Sequence, residues 1–330
     1  MISAFTIAGW GAYRPRQVLL SSELDARHGN PAGWHQREFG IASRHLAAPD
    51  ETSSMMAAEA ARVALARAGW AEGDFDAIIG GCGVMEQPIP STAVLVQDRL
   101  GLGKSGVVAF DVNQTCLSFM AALDVAGMGI ATGRWRRVLV FAADIASCGL
   151  DPENAKIRAI FGDGAAALAI EACEGERGIA GMQSVTHGAH HGLAQLRAGG
   201  TRLRVEEGYA ALVAGSHFEM DAFGIFKAAA RVLPGVIDAA LAQAGIGRDE
   251  LACVVCHQAS APGVEHVKRL FAPGGQRVVD LFASHGNQIA ASIPTCLAHA
   301  LDQGLAKPDD HVLLLGTAAG ISAGAMVIRL

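Results

Sequence analysis

AARVALARAGWAEGDFDAIIGGC, residues 60–82, is answered by VIDAALAQAGIGRDELACVVCHQ, residues 236–258. Each stretch reads as an amphipathic helix stopped at Ala-Gly, a short acidic loop, and an apolar strand. Glycine at such a stop supplies the left-handed backbone that ends a helix. A short apolar run bounded by turn residues fits a buried strand. The echo continues outward: Val107–Asp111 matches Val278–Phe282, Arg137–Ala143 matches His311–Gly316, and Gly164–Ile170 matches Gly324–Ile328. A period of about 175 residues is too long for a solenoid, so the chain holds two copies of one α/β unit. Strands that are continuous Val/Ile/Leu runs are buried on both faces and need helices on both sides. The helix predicted over Leu117–Thr132 is apolar nearly all round and belongs in the core. The expected architecture is five-layered, αβαβα, with one half at 1–172 and the other at 173–330. The Gly- and His-rich, then basic, stretch at about 184–220 breaks the pattern and reads as an inserted cap.

Composition agrees with a large buried core. Of the 330 residues 51% are apolar and only 18% charged, with 40 glycines, a profile unlike that of disordered chains. A net charge of −6 gives no electrostatic reason to expect nucleic acid. No apolar run is long enough for a convincing membrane span, and Met1–Trp10 lacks the basic start and cleavage site of a secretory signal. Seven cysteines without regular spacing read as reduced thiols, which points to the cytoplasm.

Chemistry concentrates at three strand ends. Phe110-Asp111-Val112-Asn113-Gln114-Thr115-Cys116 stands where an apolar strand stops and the long apolar helix begins. A thiol at a helix N-terminus is inclined toward thiolate. His257 ends the run Cys253–Gln258, and Asn287 follows Arg277–Phe282 and Ser284-His285-Gly286. Functional groups of parallel α/β sheets collect at the carboxyl ends of strands, so all three converge if the halves face each other. Most cysteines are small buried hydrophobes, and Cys82, Cys148, Cys173, Cys253, Cys256 and Cys296 read that way. Cys116, with His257 and Asn287 as companions, reads as the nucleophile of thiol-based acyl transfer. His187, His190 and His191 match no dedicated metal motif, so no metal is expected. Gly162-Asp163-Gly164 lacks the companions of a phosphate loop and reads as a tight turn under the site.

With these motifs the chain resembles, nearly end to end, the β-ketoacyl-acyl-carrier-protein synthase III family of the thiolase superfamily. The family's Cys-helix start is matched at Asn113–Phe119, its His-Gln-Ala at His257-Gln258-Ala259 and its His-Gly-Asn at His285-Gly286-Asn287. Its Phe-Gly-Asp-Gly-Ala is matched at Phe161–Ala165 and its Gly-rich C-terminal strand pair at Gly316–Gly324. The resemblance implies a thiolase-like fold, a homodimer, and acyl-CoA or acyl-carrier-protein thioesters as substrates. It also implies a two-stage reaction. Cys116 takes the acyl group, with the N–H groups of Cys116 and Ala319 as oxyanion hole. His257 and Asn287 then stabilise the enolate formed when a malonyl thioester loses carbon dioxide. No metal or redox cofactor is implied.

The departures from the family concern substrates. Trp34 matches the residue that stacks on the adenine of coenzyme A, but Glu38 replaces the accompanying Arg. His257-Gln258-Ala259 continues as Ser260-Ala261-Pro262, without the family's Asn and Arg, and its Met-x-Gly-Asn is Met220-Asp221-Ala222-Phe223. These changes thin the contacts to the cofactor's phosphates and suggest another acyl carrier. Ile89-Pro90-Ser91 and Ala323 replace aromatic residues of the acyl pocket, while Phe223, with Phe226 beside it, returns bulk. A medium-chain, branched or functionalised acyl group and a specialised pathway are the expectation. Lys227, Lys268 and Arg269 lie where the family docks its acidic carrier, or simply form a solvated face. Two other functions stay open: an acyltransferase without condensation, and a non-catalytic partner subunit of a heterodimeric synthase.

Overall fold

The computed structural model describes residues 3–151, 154–274 and 277–330. The first half runs β1 (Ser3–Tyr13), β2 (Gln17–Leu20), α1 (Ser21–His28), α2 (Trp34–Phe39), β3 (Ser43–Leu46), α3 (Ser53–Ala68) and β4 (Ala77–Gly80). It continues through α4 (Thr92–Arg99), β5 (Val108–Asp111), α5 (Ser118–Ala131), β6 (Arg137–Asp144), α6 (Ala155–Ile160) and β7 (Gly164–Ala172). The second half opens with β8 (Gly178–Thr186), β9 (Ala194–Gln195), α7 (Tyr209–Gly215), β10 (Glu219–Met220), α8 (Ala222–Ala244) and β11 (Leu251–Cys256). It closes with α9 (Ala261–Phe271), β12 (Arg277–Val279), α10 (Phe282–His285), α11 (Ser292–Asp302), β13 (His311–Ala318) and β14 (Ser322–Arg329).

Strand order shows the internal duplication. The ten core strands run β12-β11-β13-β14-β8-β1-β7-β6-β4-β5. A short antiparallel junction, Ser3 with Ile179 and Ala4 with Gly178, joins two five-stranded groups. Read outward from that junction, the two groups have the same order and the same strand directions. β4 is parallel to β5 and β6, as β11 is to β12 and β13. β7 runs antiparallel to β6 and β1, as β14 does to β13 and β8. The echo of Val107–Asp111 is shorter than its sequence suggests: β12 ends at Val279, and Phe282 already begins α10.

Three buried clusters make the five layers. α5 and α11 lie between the sheets, where Phe119, Leu123, Ile293 and Leu297 pack against inward residues of both halves. α3 and α4 cover the outer face of the first sheet, and α8 and α9 cover that of the second. Helix and strand meet closely at matched glycines. A Cβ added at Gly9 would lie 2.1 Å from the Ala64 carbonyl oxygen, and one at Gly181 would lie 2.2 Å from that of Ala240. Only glycine lets the backbones approach so far. The expected cap carries β9, β10, α7 and three-residue or longer 3₁₀ turns, and α7 is largely exposed. Among the described residues no helix is long and apolar enough to cross a membrane.

Candidate active site

Cys116 does not sit in the central helix itself. It occupies a 3₁₀ turn, Thr115–Leu117, that leads into α5. Thr115 adopts φ +50°, a left-handed conformation unusual for a β-branched residue. Asn113 Oδ1 accepts a hydrogen bond from the Thr115 N–H at 3.1 Å, and Ser118 Oγ donates to the Thr115 carbonyl at 2.6 Å, so the turn is held on both sides. Leu117 inserts at Gly316 of β13, where an added Cβ would meet Leu117 Cδ2 at 2.8 Å and His257 Cβ at 3.0 Å. That glycine lets the cysteine turn and the histidine meet across the two halves.

The thiol departs from the thiolate expected at a helix start. Burial pushes the Cys116 pKa up to about 12 and the charge of Asp144 adds to the rise, while the N–H groups of Ala319 and Cys116 itself oppose it. Desolvation of the charged form outweighs the favourable dipole because the half-buried side chain packs against the central core and α5 begins only at Ser118. The same two N–H groups are those expected to form the oxyanion hole. Ala319 lies in the turn between β13 and β14, beside the cis peptide Gly320–Ile321.

His257 follows β11 and is 8% exposed. Burial lowers its pKa to about 4, against an opposing contact from the Ile289 backbone, so the ring is neutral at physiological pH. Gln258 fixes the strand end: its Nε2 donates to the Val279 carbonyl at 2.8 Å and its Oε1 accepts from the Leu281 N–H at 2.9 Å. Asn287 accepts from the Ile289 N–H at 2.9 Å, and its Nδ2 donates to the Ala259 carbonyl at 3.4 Å. Its backbone is clamped to the first half, with its N–H on the Ile160 carbonyl at 2.7 Å and its carbonyl accepting from Gly162 at 3.1 Å. The Phe161–Ala165 turn therefore braces the asparagine. Within it, Asp163 accepts from Ala47 and Ser147, and its carbonyl accepts from Gln288.

Asp144 was not singled out from the sequence. It closes the apolar run of β6, is fully buried, and accepts from the Val84 N–H at 2.7 Å and the Ala291 N–H at 3.1 Å. Burial raises its pKa to about 7 against these bonds and others from Gly83 and Ala290. One carboxyl thus joins the loop after β4 to the turn after Asn287. A charged residue closing the apolar run Val138–Ala143 was the available signal.

The residues expected at the substrate are scattered. Trp34 makes edge-to-face contacts with His35 and Phe39 at 4.9 and 5.8 Å between ring centroids, and Glu38 is exposed. Ile89 is 85% exposed and Phe223 76%, while Phe226 packs on His266. Ala323 corrects the sequence reading. It is fully buried in the α8-facing core, whereas its neighbour Gly324 faces Leu117 and Met120. Successive strand residues point to opposite faces, so the small side chain of Ala323 opens no space beside Cys116. Lys268 is engaged by Glu265 and Asp280, each at 2.7 Å, and Arg269 donates to the Glu265 carbonyl; Lys227 is exposed. His187, His190 and His191 lie at an exposed turn, and among the described residues no group of three or more His, Cys, Asp or Glu side chains is placed to hold a metal ion.

Comparisons with known proteins agree over the whole chain. Residues 110–188 match the family model described as 3-oxoacyl-[acyl-carrier-protein] synthase III, and residues 241–330 match that of its C-terminal part. The chain is 36% identical to the β-ketoacyl-[acyl-carrier-protein] synthase III of Rhodospirillum centenum over 327 residues, 98% of each chain. It is 33% identical over 328 residues to that of Mesorhizobium japonicum, again 98% of each. The solved structure of the Pseudomonas aeruginosa 3-oxoacyl-(acyl carrier protein) synthase III superposes with TM-score 0.89 at 31% identity, covering 99% of this chain and 98% of that one.

Proposed function

Since the chain belongs to the 3-oxoacyl-[acyl-carrier-protein] synthase III family and is a ketoacyl synthase of the acyltransferase class, we propose that Cys116, His257 and Asn287 carry out its reaction. The observation that supports this most is the pair of N–H groups, from Cys116 and Ala319, that favour negative charge at one half-buried thiol. As the Cys116 sulfur attacks an acyl thioester, its proton passes to neutral His257 and from there to the departing carrier thiolate, which leaves as a thiol with His257 neutral again. The tetrahedral oxyanion rests on the two N–H groups. A malonyl thioester then loses carbon dioxide, and its enolate oxygen is held by N–H groups of His257 and Asn287. The resulting carbanion attacks the acyl carbonyl, the carbon–sulfur bond to Cys116 breaks, the expelled thiolate takes up a proton from water, and a β-ketoacyl thioester is released. No step needs a metal or redox cofactor.

For the donor, our reading is an acyl-carrier thioester in a specialised pathway. Exposed Glu38 beside Trp34 is poorly matched to coenzyme A phosphates, and Lys227 and Arg269 offer charge to an acidic carrier. A homodimer fits the exposed apolar residues Met85, Ile89 and Val108 near the edge strand β5. The halves divide near Ala172, between β7 and β8. The test is to supply acyl-CoA and acyl-carrier donors in parallel with a malonyl carrier and measure β-ketoacyl product and carbon dioxide. Equal molar release of both supports condensation. Acyl transfer to an alcohol or amine without carbon dioxide would replace it with simple acyl transfer, and no turnover with any donor would favour the role of a partner subunit.

A further inference from the structure

A cavity of about 350 Å³ opens between β2, α1, β3 and the residues Ser147, Leu150, Arg158 and Phe161. None of Cys116, His257 and Asn287 lines it, so it is separate from the reaction centre. At its base is Arg44, 1% exposed. Its Nη2 donates to the Arg158 carbonyl at 3.1 Å, but among the described residues Nε and Nη1 have no partner. No carboxylate pairs with this buried guanidinium among the described residues. Burial, with the nearby charge of Arg158, brings its pKa down to about 10. Unpaired buried charge and unused N–H donors are both costly. Water satisfies donors without neutralising charge, whereas an oxyanion does both.

The rest of the lining defines the ligand. Arg27 also faces the cavity, and among the described lining residues Glu23 supplies the one carboxylate. Leu24, Leu46, Leu150 and Phe161 supply apolar walls, and the volume exceeds that of a bare inorganic ion with its water. We propose that this cavity is a binding site for a small organic anion, with a carboxylate or phosphate head on Arg44 and a short apolar body against Leu46, Leu150 and Phe161. A guanidinium fits either head. The site backs onto the support of Asn287, because Arg44 holds the Arg158 carbonyl two residues before the Ile160 carbonyl that holds Asn287.

Calorimetric titration of the intact protein with hexanoate and with hexyl phosphate tests the site without any turnover, so it stands or falls apart from the proposed reaction. Saturable binding of either probe is expected, and the tighter one identifies the head group. Arg44→Met should abolish it. Glu23 and Arg27 are exposed on α1, so their variants test the site even if Arg44→Met fails to fold. Arg27→Ala should weaken binding by about tenfold and Glu23→Gln should tighten it several-fold, in line with the loss of one charged contact or one repulsion. No binding of either probe, or binding that Arg27→Ala and Glu23→Gln leave unchanged, would overturn the proposal.

Discussion

Asn113 and Asn287 occupy the same place in the two halves. Each side-chain oxygen accepts from the N–H two residues on, Thr115 at 3.1 Å and Ile289 at 2.9 Å. Those partners share an unusual backbone, φ +50° and +51°, and each opens a 3₁₀ turn into a central helix. By this correspondence Cys116 is matched by Ala290, while His257, which follows β11, is matched by Gly81, which follows β4. The duplication supplied two similar frames, and the candidate chemistry draws its cysteine from one and its histidine and asparagine from the other.

The division of labour predicts a split phenotype for Asn287→Ala. Transfer of the acyl group to Cys116 should persist, while condensation falls by roughly 10²–10³-fold, the usual cost of losing one donor to a developing oxyanion. Single-turnover acylation and steady-state product formation, measured on the same preparation, separate the two steps. Equal losses in both would contradict the role given to Asn287.

The pH dependence follows from His257. Its folded pKa of about 4 lies below its ordinary 6.5, so the folded state binds fewer protons than the unfolded chain between those values. The stability this contributes is fully present above 6.5 and is lost as pH falls toward about 4, amounting to about 3 kcal/mol overall. His257→Gln should remove that component. Denaturant midpoints between about pH 7 and about pH 5 should therefore fall more steeply for the parent than for the variant, and parallel curves would refute the buried neutral ring.

Asp144 has a sign that can be checked directly. Its charge raises the Cys116 pKa, so Asp144→Asn should lower it. The rate of Cys116 alkylation by iodoacetamide at fixed pH near neutrality should rise several-fold. An unchanged or slower rate would show that the carboxyl does not act on the thiol.

The glycine pair tests the duplication energetically. Gly9→Ala and Gly181→Ala each drive a Cβ to within 2.1 and 2.2 Å of a helix carbonyl oxygen. Both should destabilise by about 3 kcal/mol, the upper range for overpacking, as read from unfolding midpoints. A neutral effect at either site would mean that the helix can withdraw there and the packing is not equivalent.

Much of this was written in the sequence, and the reasons are local. Helix stops at Gly69 and Gly245 and the apolar runs after them repeat in register, so the layers followed from pattern alone. The positions of Cys116, His257 and Asn287 at strand ends followed from the same pattern. What a linear reading missed depends on three-dimensional surroundings. A helix start suggests thiolate, but only packing shows that the partial burial of Cys116 outweighs it. Asp144 lies one residue beyond the apolar run that drew attention, and its N–H donors come from the loop after β4 and from the turn after Asn287. Ala323 differs from Gly324 only in which face of β14 it takes, and Lys268 looks available for a carrier until Glu265 and Asp280 are seen on either side of it.

Intact mass after incubation with a panel of acyl-CoA and acyl-carrier thioesters shows whether Cys116 carries the acyl group. One acyl adduct is expected, mapped to Cys116, absent from Cys116→Ala and discharged on adding a malonyl carrier. An equal adduct on folded Cys116→Ala protein, or none on the parent with any donor, would contradict it.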